Sequence, residues 1–303
     1  MPLLSILPQL IINGLIAGSV YALAAAGFAL VYYVVKFQYF SQGAVLTIAA
    51  YLFFLFLNLA GLNYIFAAIL AIVGTIFAAL LTNYLVYRPL RKRKATPIVL
   101  LISSIAILIL STSLMQAFFG SNTRTLLLTN KNITLDFGAF TITAIQISII
   151  ASAIALFLLL WLIVKKTKLG KSMRAVADNR EVAQIIGINP EKIYNYTFII
   201  SAVIGGASGI LIGLEQNLYP RMGVLIIIKG FISSVVGGLG SVPGSIAGGL
   251  FIGLVENVGL ALPAIFGLDF IPTGYKDAIS FSVMLLFLLF RPQGIFGVKM
   301  RDS

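Results

Sequence analysis

Few side chains in this 303-residue chain could do chemistry, and several of them fall inside apolar runs. Glu256 and Asn257 lie in the middle of one such run, Glu215, Gln216 and Asn217 near the end of another, and Lys229 in a third. Asn13, Gln42, Asn58 and Asn83 add neutral amides. An ionised group at the centre of a bilayer costs roughly 2.5–3.5 kcal/mol on insertion scales, so each needs a partner or a wet cavity. Two readings follow. In one, Glu215 or Glu256 lies along a path for a zwitterion and attracts its ammonium group, with Asn13, Gln42 and Asn257 on the same path. In the other, Glu256 forms a buried ion pair or an inter-helix hydrogen bond, with Lys229 as a candidate partner, and fixes helix register. The chain has no His and no Cys, which removes imidazole acid–base work, thiolate metal ligands and disulfides. No catalytic cluster for an intramembrane enzyme and no metal site is legible. There is also no G-x-x-x-x-G-K-[ST] loop to cradle a nucleotide.

The elements that position these groups are helices threaded through lipid. Apolar residues make up 60% of the chain and charged residues 10%, and the mean hydropathy is +1.05. A soluble domain is nearer 45–50% and 25%. A spanning helix needs about 20 apolar residues, and the candidate spans are about 10–34, 41–60, 64–86, 97–119, 143–164, 196–218, 223–240, 245–262 and 277–290. The Gly-rich pair at 223–262 reads as two crossings or as one re-entrant unit buried in protein. The expected fold is therefore all-α, a single membrane domain over 1–303 with about seven to nine spans. The first apolar run lacks a basic segment before it and is too long for a signal h-region, so it reads as a retained transmembrane helix.

The net charge of +12 sits mostly in short segments between apolar runs, which fits membrane topology and not nucleic-acid binding. Arg88, Arg91, Lys92, Arg93 and Lys94 crowd one loop. Lys165, Lys166, Lys168, Lys171, Arg174, Arg180 and Lys192 fill another, and Arg291, Lys299 and Arg301 follow the last span. The positive-inside rule places these on the cytoplasmic side, with the N-terminus and the 120–142 loop outside and the C-terminus inside. Small residues recur on the spans, including Gly205-x-x-x-Gly209-x-x-x-Gly213, a pattern that permits close helix approach.

The most informative loop is the expected cytoplasmic segment at about 165–195. Met173, Val176, Ala177, Val182, Ile185 and Ile186 form partial helical faces. Asp178 or Asn179 can cap a second short helix beginning near Arg180, and Gly187 and Pro190 stop it. The segment reads as two short amphipathic helices outside the lipid.

Within it, Glu181-Val182-Ala183-Gln-Ile-Ile-Gly187 resembles the EAA-x-x-x-G loop of ABC importer permeases. Further matches run in order along the chain: Asn13-Gly14 to Gly27, Phe40-Ser41-Gln42-Gly43-Ala44, Tyr87-Arg88-Pro89-Leu90-Arg91, Arg174 to Glu181, Gly237 to Gly249, and Arg291-Pro292-Gln293-Gly294-Ile-Phe-Gly297. Together they are similar to the branched-chain amino-acid ABC transporter permease family. At Ser41-Gln42-Gly43-Ala44 the family's His and Glu are absent. The resemblance implies a type II ABC importer-like permease in a bacterial plasma (inner) membrane. It implies that Arg174, Asp178, Glu181, Ala183 and Gly187 couple to an ATP-binding subunit. It implies as partners a second related permease or a second copy, two ATP-binding subunits and an extracytoplasmic solute-binding protein. No cofactor is expected on this chain, since ATP is used by the partner subunits. Related permeases for urea, short amides and other small solutes leave the substrate open. An ion-coupled secondary transporter is the alternative class, but it has no need of a coupling segment.

Overall fold

The computed structural model describes residues 2–126, 134–136, 138, 140–261, 272–291 and 293–296. Long runs of Leu, Ile, Ala and Phe become helices because, in lipid, every backbone polar group must be satisfied within the segment. Helix α1 covers Pro2–Val35 and α2 covers Gln42–Phe54, which runs on into a π-helical turn, Leu55–Leu59. Helix α3, Tyr64–Thr82, passes through a second π turn, Asn83–Tyr87, into α4, Arg88–Lys92. Helix α5, Pro97–Phe119, starts on a proline whose missing N–H has no partner to lose there. A short antiparallel hairpin of β1, Thr134–Asp136, and β2, Thr141–Thr143, pairs Leu135 with Ile142. Then come α6 (Ala144–Lys166), α7 (Lys168–Asp178), α8 (Arg180–Ile185), α9 (Pro190–Gln216), α10 (Met222–Gly237), α11 (Val242–Gly259) and α12 (Lys276–Phe290).

Among the described residues, seven helical stretches are long and apolar enough to cross a membrane: Ile6–Val35, Gln42–Leu59, Tyr64–Lys92, Pro97–Phe119, Ala144–Lys166, Pro190–Gln216 and Val242–Gly259. Helices α10 and α12, of 16 and 15 residues, are shorter. At 1.5 Å per residue they reach about 22–24 Å, against a hydrocarbon core of about 30 Å. The Gly-rich stretch expected as a pair or a re-entrant unit forms two separate helices joined by a tight turn, Ser241 N–H to the Gly238 carbonyl. Helix α9 begins six residues before the expected span. Glu191, Lys192 and Asn195 look like loop residues, yet the Asn189 side chain accepts from the Glu191 and Lys192 amides and Pro190 opens the helix. Lys299, Arg301 and Gly297, expected beyond the last span, lie outside the described residues.

The chain forms two compact units. The first comprises Met1–Ala26, Leu128–Ile154 and Ile228–Ser303. Its centre is a seam between α1 and α11. A Cβ built on Gly18 would lie 2.9 Å from the Leu250 Cα, and one on Gly14 would lie 3.0 Å from the Gly253 carbonyl oxygen. Gly249 and Gly253 answer from α11, closing on Ala22 and Gly18. Backbones can approach this closely only where side chains are missing.

The second unit comprises Gly27–Leu127 and Ala155–Ile227, with α2, α3 and α9 packed on one another. Helix α3 turns Ala67, Ala71, Thr75 and Ala79 inward at a spacing of four, so one stripe of small residues meets its neighbours. Phe66, Val73 and Phe77 point outward from the same helix and are exposed. Helix α5 repeats the pattern, with Leu100, Ser104, Leu108 and Ser111 buried and Ile98, Ile102, Ile109 and Phe118 exposed. Gly209 of α9 lies against the Leu46 backbone of α2, and Gly206 lies near Ala49, so this glycine row is a packing groove.

Candidate functional site

The segment between α6 and α9 is built from local caps. The Thr167 hydroxyl accepts from the Gly170 amide and starts α7. Gly170 sits against the Ile163 and Val164 carbonyls, where no side chain fits, and Arg174 donates to the Val164 carbonyl. Helix α7 is thus folded back onto the last turn of α6, with Met173, Val176 and Ala177 buried beneath it. Asn179 ends α7 and caps α8, accepting from the Glu181 and Val182 amides at 2.9 and 3.1 Å. Of the two capping residues the sequence offered, Asn179 makes these bonds. Asp178 and Glu181 are exposed and Ala183 is buried.

The outer face of this segment is apolar. Val182, Ile185 and Ile186 are exposed, with Ile185 at 84%. Gly187 follows at φ +85°, with no atom within 4 Å of a Cβ placed there. The requirement for glycine is conformational and not steric, since this backbone region disfavours any L side chain. The Gly187 and Ile188 amides close on the Gln184 and Ala183 carbonyls. The chain therefore turns sharply from α8 into the Asn189 cap of α9.

A polar node lies in the first unit. Lys229 of α10 donates to Glu256 Oε1 at 2.7 Å and to the Tyr21 hydroxyl at 3.1 Å, and pairs with Asp277 Oδ1 at 2.9 Å. The Tyr21 hydroxyl donates to Glu256 Oε2 at 3.0 Å, and the Ser280 hydroxyl donates to Oε1. Glu256 is fully buried, and its two oxygens accept three side-chain donors. All three Lys229 protons have acceptors. Next to this ring, Asn257 donates to the Gly253 carbonyl and accepts from Lys276 at 3.0 Å. The arrangement joins α1, α10, α11 and α12 at one level. Such a set of paired charges fixes register, and these partners occupy three of the roughly four lone-pair directions of the Glu256 carboxylate.

The other amides named from the sequence are placed separately. Asn13, also in the first unit, accepts from Gln9, whose amide pairs with both the N–H and the carbonyl of Thr141. In the second unit, Gln42 is fully buried, donating to the Ser201 carbonyl and accepting from the Ser201 hydroxyl at 2.8 Å. The same hydroxyl proton is shared with the Gly27 carbonyl, 3.0 Å away, and Gln42 acts here as a lock between α2 and α9. Glu215 is half-buried in the last turn of α9, about 21 Å along that helix from Ser201 at 1.5 Å per residue. Sequence reasoning missed Tyr21, Asp277, Ser280 and Ser201. A hydroxyl on an apolar helix carries no signal of its own; a search for partners of Glu256 and Gln42 would have been needed.

The pattern of helices defines the class: among the described residues seven stretches have membrane length, and three of them, Tyr64–Lys92, Pro97–Phe119 and Ala144–Lys166, turn most of their large apolar side chains outward. This is a multi-pass α-helical membrane protein. Residues 10–288 match the family described as branched-chain amino acid transport system / permease component. The chain is 31% identical over 306 residues to the high-affinity branched-chain amino acid transport system permease protein BraD of Pseudomonas aeruginosa, covering 95% of each. It is 32% identical over 300 residues to the probable branched-chain amino acid transport permease protein LivH of Methanocaldococcus jannaschii, covering 96% of this chain and 93% of that one. Among solved structures, PsaBC from Streptococcus pneumoniae in complex with Fab is similar in fold, with a TM-score of 0.52 at 14% identity over 94% of this chain and 92% of that one. The chain belongs to the branched-chain amino acid transport system permease family and is a transport subunit.

Proposed function

We propose that this chain is the membrane-spanning permease of an ATP-driven importer for branched-chain amino acids. It takes substrate from an extracytoplasmic binding protein and releases it into the cytoplasm. ATP is hydrolysed by separate subunits, and this chain binds no cofactor. The observation that carries the reading is the capped α7–α8 segment, which presents the apolar face of Val182, Ile185 and Ile186 ahead of a glycine-only turn. Such a surface is costly in water unless another protein covers it. Arg174, Asp178, Glu181, Ala183 and Gly187 form and flank it, and an ATP-binding subunit is the cover we assign. The same reading puts this segment and the C-terminus in the cytoplasm of a bacterial cell, with the N-terminus outside. The remaining partners are a second related permease, or a second copy of this chain, and a second ATP-binding subunit.

Reconstitution of the chain with its ATP-binding subunits, partner permease and binding protein in liposomes tests this. ATP-dependent accumulation of radiolabelled leucine is the expected result, and accumulation driven by an ion gradient without ATP would overturn it. The departure at Ser41-Gln42-Gly43-Ala44 keeps a urea- or amide-transporting relative as the second reading. Calorimetry of the binding protein with leucine and urea separates the two.

A further inference from the structure

The coupling segment is tied to the helices by more than the chain itself. Glu191, in the first turn of α9, pairs with Arg91 of α4 at 3.0 Å and lies 4.0 Å from Arg180, the first residue of α8. Arg91 donates from the same Nη2 to Asn83 Oδ1, also at 3.0 Å, and Asn83 donates to Asn195 of α9 at 2.7 Å. The Arg91 guanidinium lies 4.9 Å from the Tyr194 ring centroid, and the Arg180 guanidinium 6.0 Å from the same ring. Arg91 is buried, and its Nε and Nη1 have no hydrogen-bond partner. Its charge is therefore compensated chiefly by one carboxylate and one aromatic face. A buried cation with so few partners holds its geometry only while those partners stay in place.

The position of Asn83 adds a mechanical element. It opens the π turn Asn83–Tyr87 that separates α3 from α4. A π turn interrupts the regular i→i−4 ladder, and such turns recur at functional sites. The end of this turn is held as well: the Tyr87 hydroxyl bonds Ser41 at 2.6 Å, and its ring stacks on Phe198 of α9.

Building on the transport reading above, we propose that Glu191 is a positioning residue that makes α3–α4 follow the coupling segment. Helix α8 leads into α9 through the Gly187 turn, so a displacement of α8 reaches α9 through the backbone. The Glu191–Arg91 pair delivers the same displacement to α4. The π turn lets the end of α3 bend without breaking the rest of the helix.

The test uses the complete transporter in liposomes, comparing wild type with Glu191→Gln, Arg91→Lys and the exchanged pair Arg91→Glu with Glu191→Arg. Glu191→Gln keeps size and one acceptor and removes only the charge. Leucine taken up per ATP hydrolysed should fall about tenfold in both single variants, the usual scale of coupling between distant sites. ATP hydrolysis should persist, and the exchanged pair should recover part of the ratio. A second readout needs no substrate. The chain has no cysteine, so a bimane attached to Leu85→Cys on the purified chain before assembly, at an exposed position of the π turn, reports that turn. Trapping with ATP and vanadate should shift its emission in the wild-type background and not with Glu191→Gln. An unchanged shift, or uptake and hydrolysis falling together with the amount of folded protein, would overturn the proposal. If the wild-type chain assembles with no ATP-binding subunit, it is the transport reading that fails.

Discussion

Exchanging Glu256 for Gln removes one charge from the ring of Tyr21, Lys229 and Ser280 at nearly constant volume. Wild-type Glu256 accepts from all three, and Lys229 is shared with Asp277. Gln keeps one acceptor oxygen and places an amide N–H₂ where the other oxygen stood, so a donor there meets a donor. Removing one member of a buried ion pair costs about 3–5 kcal/mol. Lys229 keeps Asp277, which is 55% exposed and still bonded at 2.9 Å, and this retained partner puts the expected loss near the lower bound. A loss of about 3 kcal/mol corresponds to roughly a hundredfold in the folded-to-unfolded ratio. The assay is thermal unfolding in detergent, run beside leucine uptake per folded molecule in liposomes. The midpoint should drop clearly while uptake per molecule is retained. Adding Lys229→Gln should cost less than the sum of the two single changes, by about 1–3 kcal/mol, as expected for groups in contact. A variant that melts like wild type but no longer transports would refute the reasoning and put the carboxylate on the substrate's path.

Three further perturbations probe other parts of the structure. Gly187→Val forces a β-branched residue to φ +85° in open space. The local cost is about 1–2 kcal/mol, and the expected outcome is ATP hydrolysis without uptake in an inserted protein. Asn179→Ala removes both cap bonds of α8, worth about 1 kcal/mol, and faster amide hydrogen exchange over Arg180–Ile185 checks it. Gly18→Leu places side-chain atoms where the Leu250 backbone now lies. The seam must open at a cost of about 1–3 kcal/mol or more, seen as a lower yield of monodisperse protein after extraction.

Much of the helical layout was legible because lipid imposes a length and a composition. The span at 97–119 coincides with α5, bracketed by Pro97 and Gly120. The two amphipathic helices around Asn179 were also readable, since their caps lie within a few residues of the groups they satisfy. The start of α9 was not, because Glu191 and Lys192 read as solvated loop until Arg91 supplies a partner a hundred positions away. The π turns left no trace, since Leu55–Leu59 and Asn83–Tyr87 are apolar enough to pass for ordinary helix. For the polar node, Lys229 and Glu256 stood out by charge. Tyr21 and Ser280 did not, because their role exists only once α1 and α12 have been brought beside α11.

The seam between α1 and α11 also has a history during synthesis. Tyr21 and Glu256 are 235 positions apart. At roughly 5–20 residues per second of translation, α1 waits on the order of 10–50 s for its counterpart. Through that interval its bare glycine edge has only lipid or the insertion machinery against it. Lys229 meets a similar delay on a shorter scale, since it enters ahead of both carboxylates that neutralise it. Helices α11 and α12, made after α1, thus complete its polar and glycine contacts. A ribosome stalled before Glu256 would leave behind a chain with an unsealed glycine edge on α1 and a Lys229 cation without either of its carboxylates.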